Sequence, residues 1–344
     1  MNKNEAGLTP KVQLGGGRIG YLDALKCLGI FLMIEGHVRA LVMGVKPYDS
    51  LSGMMLYSFN MPIFFFVSGL FAYKNSLTCK EIGRRTWQKF VFLVIPAFMF
   101  SLFSDLLAQD NPLDVFINKG FGKYWFTFTL FECFVVYYLV HLIFRNETVR
   151  HIVLLVMAFA GVGLLSVFQK FGPAILDMNH LTKYFQFFLF GVLAMRYKEN
   201  YEKLMKNEGV KTVTLLAFFV LLFLMNYTFW PKLVFHVVRD IVLRYLGTFV
   251  VISFFVCHAS WFDRENKGMS MVREIGKKSL AVYMLHYFFI PHLLPLPSWV
   301  AELDRISVPV FSLAYSIIVL AASMLFIALL TNSKMVAKYA LGQK

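Results

Sequence analysis

The chain has 344 residues, 58% of them hydrophobic and only 16% charged, a balance far more apolar than a soluble domain of this size carries. Its 38 phenylalanines suit helix surfaces that face lipid or pack on one another in a bilayer, where no polar cover is needed. The formal charge of +14 does not mark a nucleic-acid binder, because the basic residues fall in short clusters between apolar runs, where they act as topology signals.

In chain order, residues 1–20 are polar and read as a flexible cytoplasmic tail, with no signal-peptide cleavage pattern in the apolar run that follows. Ten apolar stretches, each about 20 residues long and so able to cross about 30 Å of hydrocarbon, are then predicted at roughly 21–43, 52–73, 89–108, 124–144, 151–168, 181–197, 212–230, 239–261, 275–294 and 307–330. The loops between them are short. The expected fold is therefore all-α, a polytopic integral membrane protein whose residues 21–330 form a single bundle, with 331–344 a second cytoplasmic tail. Cys27, Cys79, Cys133 and Cys257 show no CxxC spacing, and neither a disulfide nor a zinc site is expected.

Orientation follows from the cations. The tails and every second loop collect 23 of the 34 basic residues, from Lys3, Lys11 and Arg18 through Lys74, Lys80, Arg84, Arg85 and Lys89 to Lys334, Lys338 and Lys344. The alternate loops hold nine, among them Arg39, Lys46, Lys119, Lys170, Lys232, Arg239 and Arg305, which leaves Lys26 and Arg244 inside spans. Both termini are expected in the cytoplasm.

Titratable groups inside a span are costly unless they face a cavity or a partner, so each is a candidate for function. The first span, YLDALKCLGIFLMIEGHVRALVM, carries Asp23, Lys26, Glu35 and His37. On a helix, Lys26 and His37 lie within about 20° of each other and about 16 Å apart, and Asp23 lies about 40° from His37. Glu35 points about 200° away from His37 and needs a partner of its own. A neutral imidazole can take a proton from an alcohol near pH 7, the functional reading of His37; a histidine bridging two helices is the bland one. For Lys26 the bland reading is a side chain snorkelling to the inner interface. Asp240 and Arg244, four residues apart, read first as an intramembrane ion pair. Glu132 and His286 are further candidates for a cavity wall; His141, His151, His180, His236, His258 and His292 have no metal-ligand spacing and receive no role.

Four stretches resemble the membrane acyltransferase-3 family. They are YLDALK (Tyr21 to Lys26) followed after ten residues by Gly36-His37; FNMPIFFFVSG (Phe59 to Gly69), with Asn60 where many members have histidine; the run Arg84, Arg85, Lys89 leading to Pro96; and SLAVYMLH (Ser279 to His286). Tyr124 to Phe126 is similar to that family's entry into the fourth span. The resemblance implies acyl transfer, with acetyl the expected group, from cytosolic acyl-CoA to a hydroxyl of a cell-surface carbohydrate or lipid-linked glycan, in the plasma (inner) membrane. It implies no permanently bound cofactor and no metal; the partners are the bilayer, acyl-CoA and the glycan acceptor.

On that basis the candidate catalytic set is His37, Lys26, Asp23 and Asn60. His37 acts either as a base or through an acyl-imidazole, two routes that sequence does not separate. Arg84 and Arg85 are the candidate CoA-phosphate ligands, against the reading that they only set topology. Glu35, Glu132, Arg239, Arg244, Tyr283 and His286 are the candidate substrate-side groups, of which Asn60, Tyr283, Arg239 and Arg244 can donate to an oxyanion. The alternative from another class is a carrier or flippase for a lipid-linked sugar. It lacks the paired, Gly/Pro-broken helices that such folds show in two halves.

Overall fold

The computed structural model describes residues 19–45, 50–107, 122–159, 178–225, 235, 238–290, 307–333 and 341, and every element of regular structure among them is helical. The elements are α1 (Gly20–Leu41), α2 (Leu51–Ala72), α3 (Cys79–Lys89), which passes through a π-turn (Phe90–Val94) into α4 (Ile95–Leu107), α5 (Trp125–Ile143), α6 (Glu147–Phe159), α7 (Met178–Arg196), α8 (Lys198–Lys206) and α9 (Glu208–Leu224). A second π-turn (Val238–Val242) continues into α10 (Leu243–Cys257), followed by the single turn α11 (Ala259–Phe262), α12 (Lys267–Lys277), α13 (Ser279–Phe289) and α14 (Ser307–Leu330). The expectations for Lys3, Lys11, Arg18, Lys46, Lys119, Lys170, Lys232, Arg305, His236, His292, the Asp240 side chain and nearly all of the C-terminal tail lie outside the described residues.

Among the described residues, four stretches are long and apolar enough to cross a membrane: Leu51–Ala72, Cys79–Leu106, Gly122–Ile143 and Val308–Leu330. The pair α8 and α9, bent by 65°, makes a fifth if it is one broken span. Among the other expected spans, α1 falls short because of its charges, and α10 and α13 because of their length.

Local chemistry explains where elements depart from the expected limits. The third helix starts ten residues before the expected 89, because Thr78 and Glu81 form a capping box: the Thr78 hydroxyl accepts from the Glu81 amide, and the Glu81 carboxylate accepts from the Thr78 amide at 2.9 Å. The π-turn that follows ends two residues before Pro96, whose ring and missing N–H disfavour an undisturbed α-helical ladder there. The ninth expected span divides at Lys278 (φ −92°, ψ 8°) into α12 and α13. Arg39, counted from sequence with a loop, is instead buried in the last turn of α1, and Arg150 is buried in α6.

Helix α2 is the centre of the bundle, packed by α1, α7 and α10. Its crossing with α7 is set by two glycines. A methyl group at Gly69 would run into the Phe188 carbonyl, and one at Gly191 would run into the Phe66 carbonyl, so each backbone lies in the other's groove. Helix α1 is held on its other sides by α12, where Gly276 abuts the Asp23 carbonyl, and by α14. There Glu35 pairs with Arg39, the Ser312 hydroxyl donates to Glu35 at 2.8 Å, and Arg39 donates to Ser52 of α2 at 2.7 Å. Glu35 is 0% exposed, and four side chains from three helices meet on the α1 face opposite His37, with both Glu35 contacts on Oε1 and its buried Oε2 without a hydrogen bond among the described residues.

Candidate active site

Helix α1 turns one stripe, Lys26, Ile30, Met33 and His37, towards α2, α5 and α13. The first three of these line a cavity of about 200 Å³. Its lining includes Lys26, Lys89 and the hydroxyl-bearing Ser279 and, further along α1 towards His37, Met33, with Phe126 and Tyr283 from α5 and α13. Lys26 reaches Asp23 at 2.6 Å, which keeps two charges together in an apolar setting. The Lys89 ammonium lies 3.9 Å from the centre of the Phe134 ring, whose π-face stabilises a cation there.

One helical turn beyond Met33, outside the cavity lining, stands His37, part-exposed. The Tyr287 hydroxyl is 3.1 Å from its Nε2 and 3.4 Å from its Nδ1, so it can donate to whichever ring nitrogen holds the lone pair. The His286 ring lies 5.2 Å from that of His37, fully buried. Its Nδ1 is 2.7 Å from the Tyr283 carbonyl and donates there, and its Nε2 has no hydrogen-bond partner among the described residues. Gly36 makes room for Tyr57: a methyl group at that position would sit 3.0 Å from the Tyr57 hydroxyl. The surrounding phenols are committed elsewhere, since Tyr124 donates to the Met284 carbonyl at 3.2 Å and Tyr283 to the Lys123 carbonyl at 3.1 Å.

The remaining expected site residues are dispersed. Asn60 is buried beside Gly29, about two turns from His37, and its amide oxygen accepts from the Met61 N–H at 2.7 Å, next to Pro62. Arg84 is exposed, whereas Arg85, one residue on, turns inward to Tyr138 of α5. Glu132 is buried on α5 but does not line the cavity, whose α5 wall is Phe126, Leu130 and Phe134. The Arg244 guanidinium is buried over the Tyr184 ring at 5.4 Å, and that of Arg239 lies 5.4 Å from the Phe235 ring. Glu35 and Arg39 form their own group away from His37. Tyr283 and His286 are the two substrate-side candidates that the fold brings to His37 and the cavity. Sequence reasoning missed Tyr287 and the cavity role of Lys89. The spacing of Arg85 and Lys89, four residues apart and so on one helix face, was the signal for the second.

A membrane-embedded helical bundle that holds a part-exposed imidazole beyond a cation-lined cavity is suited to group transfer inside the bilayer. The chain belongs to acyltransferase family 3, whose model, described as an acyltransferase domain, matches residues 19–329, and it is thus a membrane acyltransferase. No curated protein and no solved structure shows significant similarity to it.

Proposed function

We propose that the chain transfers an acyl group, acetyl in the first instance, from cytosolic acyl-CoA to a hydroxyl of a cell-surface carbohydrate or lipid-linked glycan precursor in the plasma membrane, as a ten-span bundle with both termini in the cytoplasm. The observation that carries this reading is the α1 stripe: Lys26, Ile30 and Met33 line a cavity, and His37 follows one turn past Met33 with the Tyr287 hydroxyl at 3.1 Å.

In this reading the CoA phosphates stay on Lys89 and Arg85, with Lys26 held ready by Asp23. The pantetheine arm occupies the cavity, and the thioester passes Met33, Phe126 and Tyr283, which have to part to let it reach His37. His37 takes the proton of the acceptor hydroxyl as its oxygen bonds to the thioester carbonyl carbon; the C–S bond then breaks and the leaving thiolate receives that proton. In the covalent variant His37 itself attacks first, and the alcohol then displaces the imidazole. Tyr287 donates to the His37 nitrogen until the acceptor replaces it.

The test is purified protein in vesicles with isotope-labelled acetyl-CoA and a glycan acceptor. Label on the glycan and free CoA are expected, both lost in His37→Ala at unchanged protein level and thermal stability. Normal product from folded His37→Ala would overturn the proposal. Intact donor with movement of a lipid-linked sugar would favour the carrier reading.

A further inference from the structure

On the opposite face of α2 lies a second and larger cavity, of about 530 Å³. We infer that it holds one acyl chain of an anionic phospholipid whose headgroup rests against α8. Its floor is Phe66 of α2, and its walls are the α7 stretch from Phe187 to Tyr197 and the α10 stretch from Tyr245 to Ile252. At one end Tyr245 closes it, packed 5.1 Å from Phe187 and hydrogen-bonded to Gln186. The other end lies beside α8, where the Ser253 hydroxyl donates to the Met205 carbonyl at 2.6 Å. The α7 wall runs over eleven residues, ten helical rises, so the space is about 15 Å long and runs along the helices, the direction in which lipid chains lie.

The mouth says what enters. At the junction of α7 and α8, Tyr197 is 50% exposed and Leu204 47% exposed, although both also line the cavity. Next to it, α9 bends away by 65° and presents Leu216, Phe219 and Val220 outward, a surface that only lipid tails would cover. The opening therefore faces the bilayer rather than water. Helix α8, KENYEKLMK, is amphipathic: Tyr201, Leu204 and Met205 face the cavity, Lys198 pairs with Glu202 at 4.0 Å, and the exposed Lys203 and Lys206 outweigh the exposed Glu199, leaving the helix a net positive charge. Such a helix lies in the interface, with its ammonium groups at headgroup height, where phosphate is the complementary charge.

The ligand's charged end is thus at the basic end of the bundle, away from His37, and a lipid-linked sugar awaiting acylation would have its headgroup at the wrong end. Phe64 and Val67 of α2 line the first cavity while Phe66 lines the second, so a chain bound here does not share space with the acyl donor.

The experiment uses the full chain reconstituted in vesicles of equal phosphatidylglycerol and phosphatidylcholine, extracted in mild detergent, with retained lipid measured by native mass spectrometry. No acyl transfer is involved, so the result is independent of the proposed reaction. About one phosphatidylglycerol per folded chain is expected, reduced about tenfold by Ala194→Trp, which fills the wall of the cavity. Lys203→Glu with Lys206→Glu should keep a bound lipid but abolish the preference for phosphatidylglycerol. If Ala194→Trp does not fold, Leu204→Trp at the exposed mouth is read in the same way. Equal retention of the two lipids by the native chain, or unchanged retention in both folded tryptophan variants, would overturn the inference.

Discussion

Glu35 and His37 are two residues apart in the same helix, each titratable, each inside an apolar span, yet the fold uses them in opposite ways. Glu35 meets Arg39 and Ser312 on the α14 side, with Arg39 tied on to Ser52, whereas His37 stands on the cavity side with, among the described residues, a tyrosine hydroxyl on its ring nitrogens. An ionisable group in a membrane helix is thus a structural brace when the surrounding polar atoms hold it, and a candidate reagent when a nitrogen is left to a weak and replaceable partner. At Glu35 the neighbouring Arg39 guanidinium offsets the burial of the carboxylate.

Substitutions on the two faces should separate these roles. The largest effect is expected from His37→Ala, a loss of about a thousandfold in acyl transfer with an unchanged melting temperature in detergent, the scale of general-base catalysis. A parallel fall in melting temperature would place His37 with the braces. Glu35→Ala should do the reverse, lowering stability by about 3 kcal/mol because Arg39 is left as an uncompensated buried charge, while activity per folded molecule is kept. Specific activity that collapses in Glu35→Ala at full stability would erase the distinction between the faces. Lys89→Gln should raise the KM for acyl-CoA about tenfold with little change in kcat, the loss of one phosphate contact made equally in ground and transition states. Arg84→Gln, on an exposed side chain, should leave that KM alone. The smallest effect belongs to Tyr287→Phe, about a fivefold change in kcat, since one neutral hydrogen bond to His37 is removed and the ring is kept; an effect as large as that of His37→Ala would make the phenol an essential proton carrier.

What the sequence revealed and what it hid divide along the same physical line. Within one helix, the angle between residues is fixed by 3.6-residue geometry, so the common face of Lys26 and His37, and the exclusion of Glu35 from it, could be computed before any fold was known. Relations between helices could not. Nothing local says that Glu35 would meet Ser312, 277 positions away, or that Tyr287 would sit on His37, 250 positions away. Arg39 counts with the loop cations in the charge pattern although it falls within the expected 21–43 span, and the fold shows the partners that accommodate it there. Arg84 and Arg85 look alike as letters, but one residue of helical rotation sends the first outward and the second to Tyr138. Asn60 was matched by motif position, yet its amide oxygen serves the Met61 N–H of its own helix.

The paired glycines where α2 meets α7 also constrain how the molecule can move. With Gly69 and Gly191 each seated against the other's main chain, neither helix can rotate or slide without a backbone collision, and the partition between the two cavities behaves as a fixed post. If the proposed donor is to reach His37, the movement has to come from other elements of the cavity wall: Phe126 belongs to α5 and Tyr283 to the eleven-residue α13, neither of which is locked by this glycine pair.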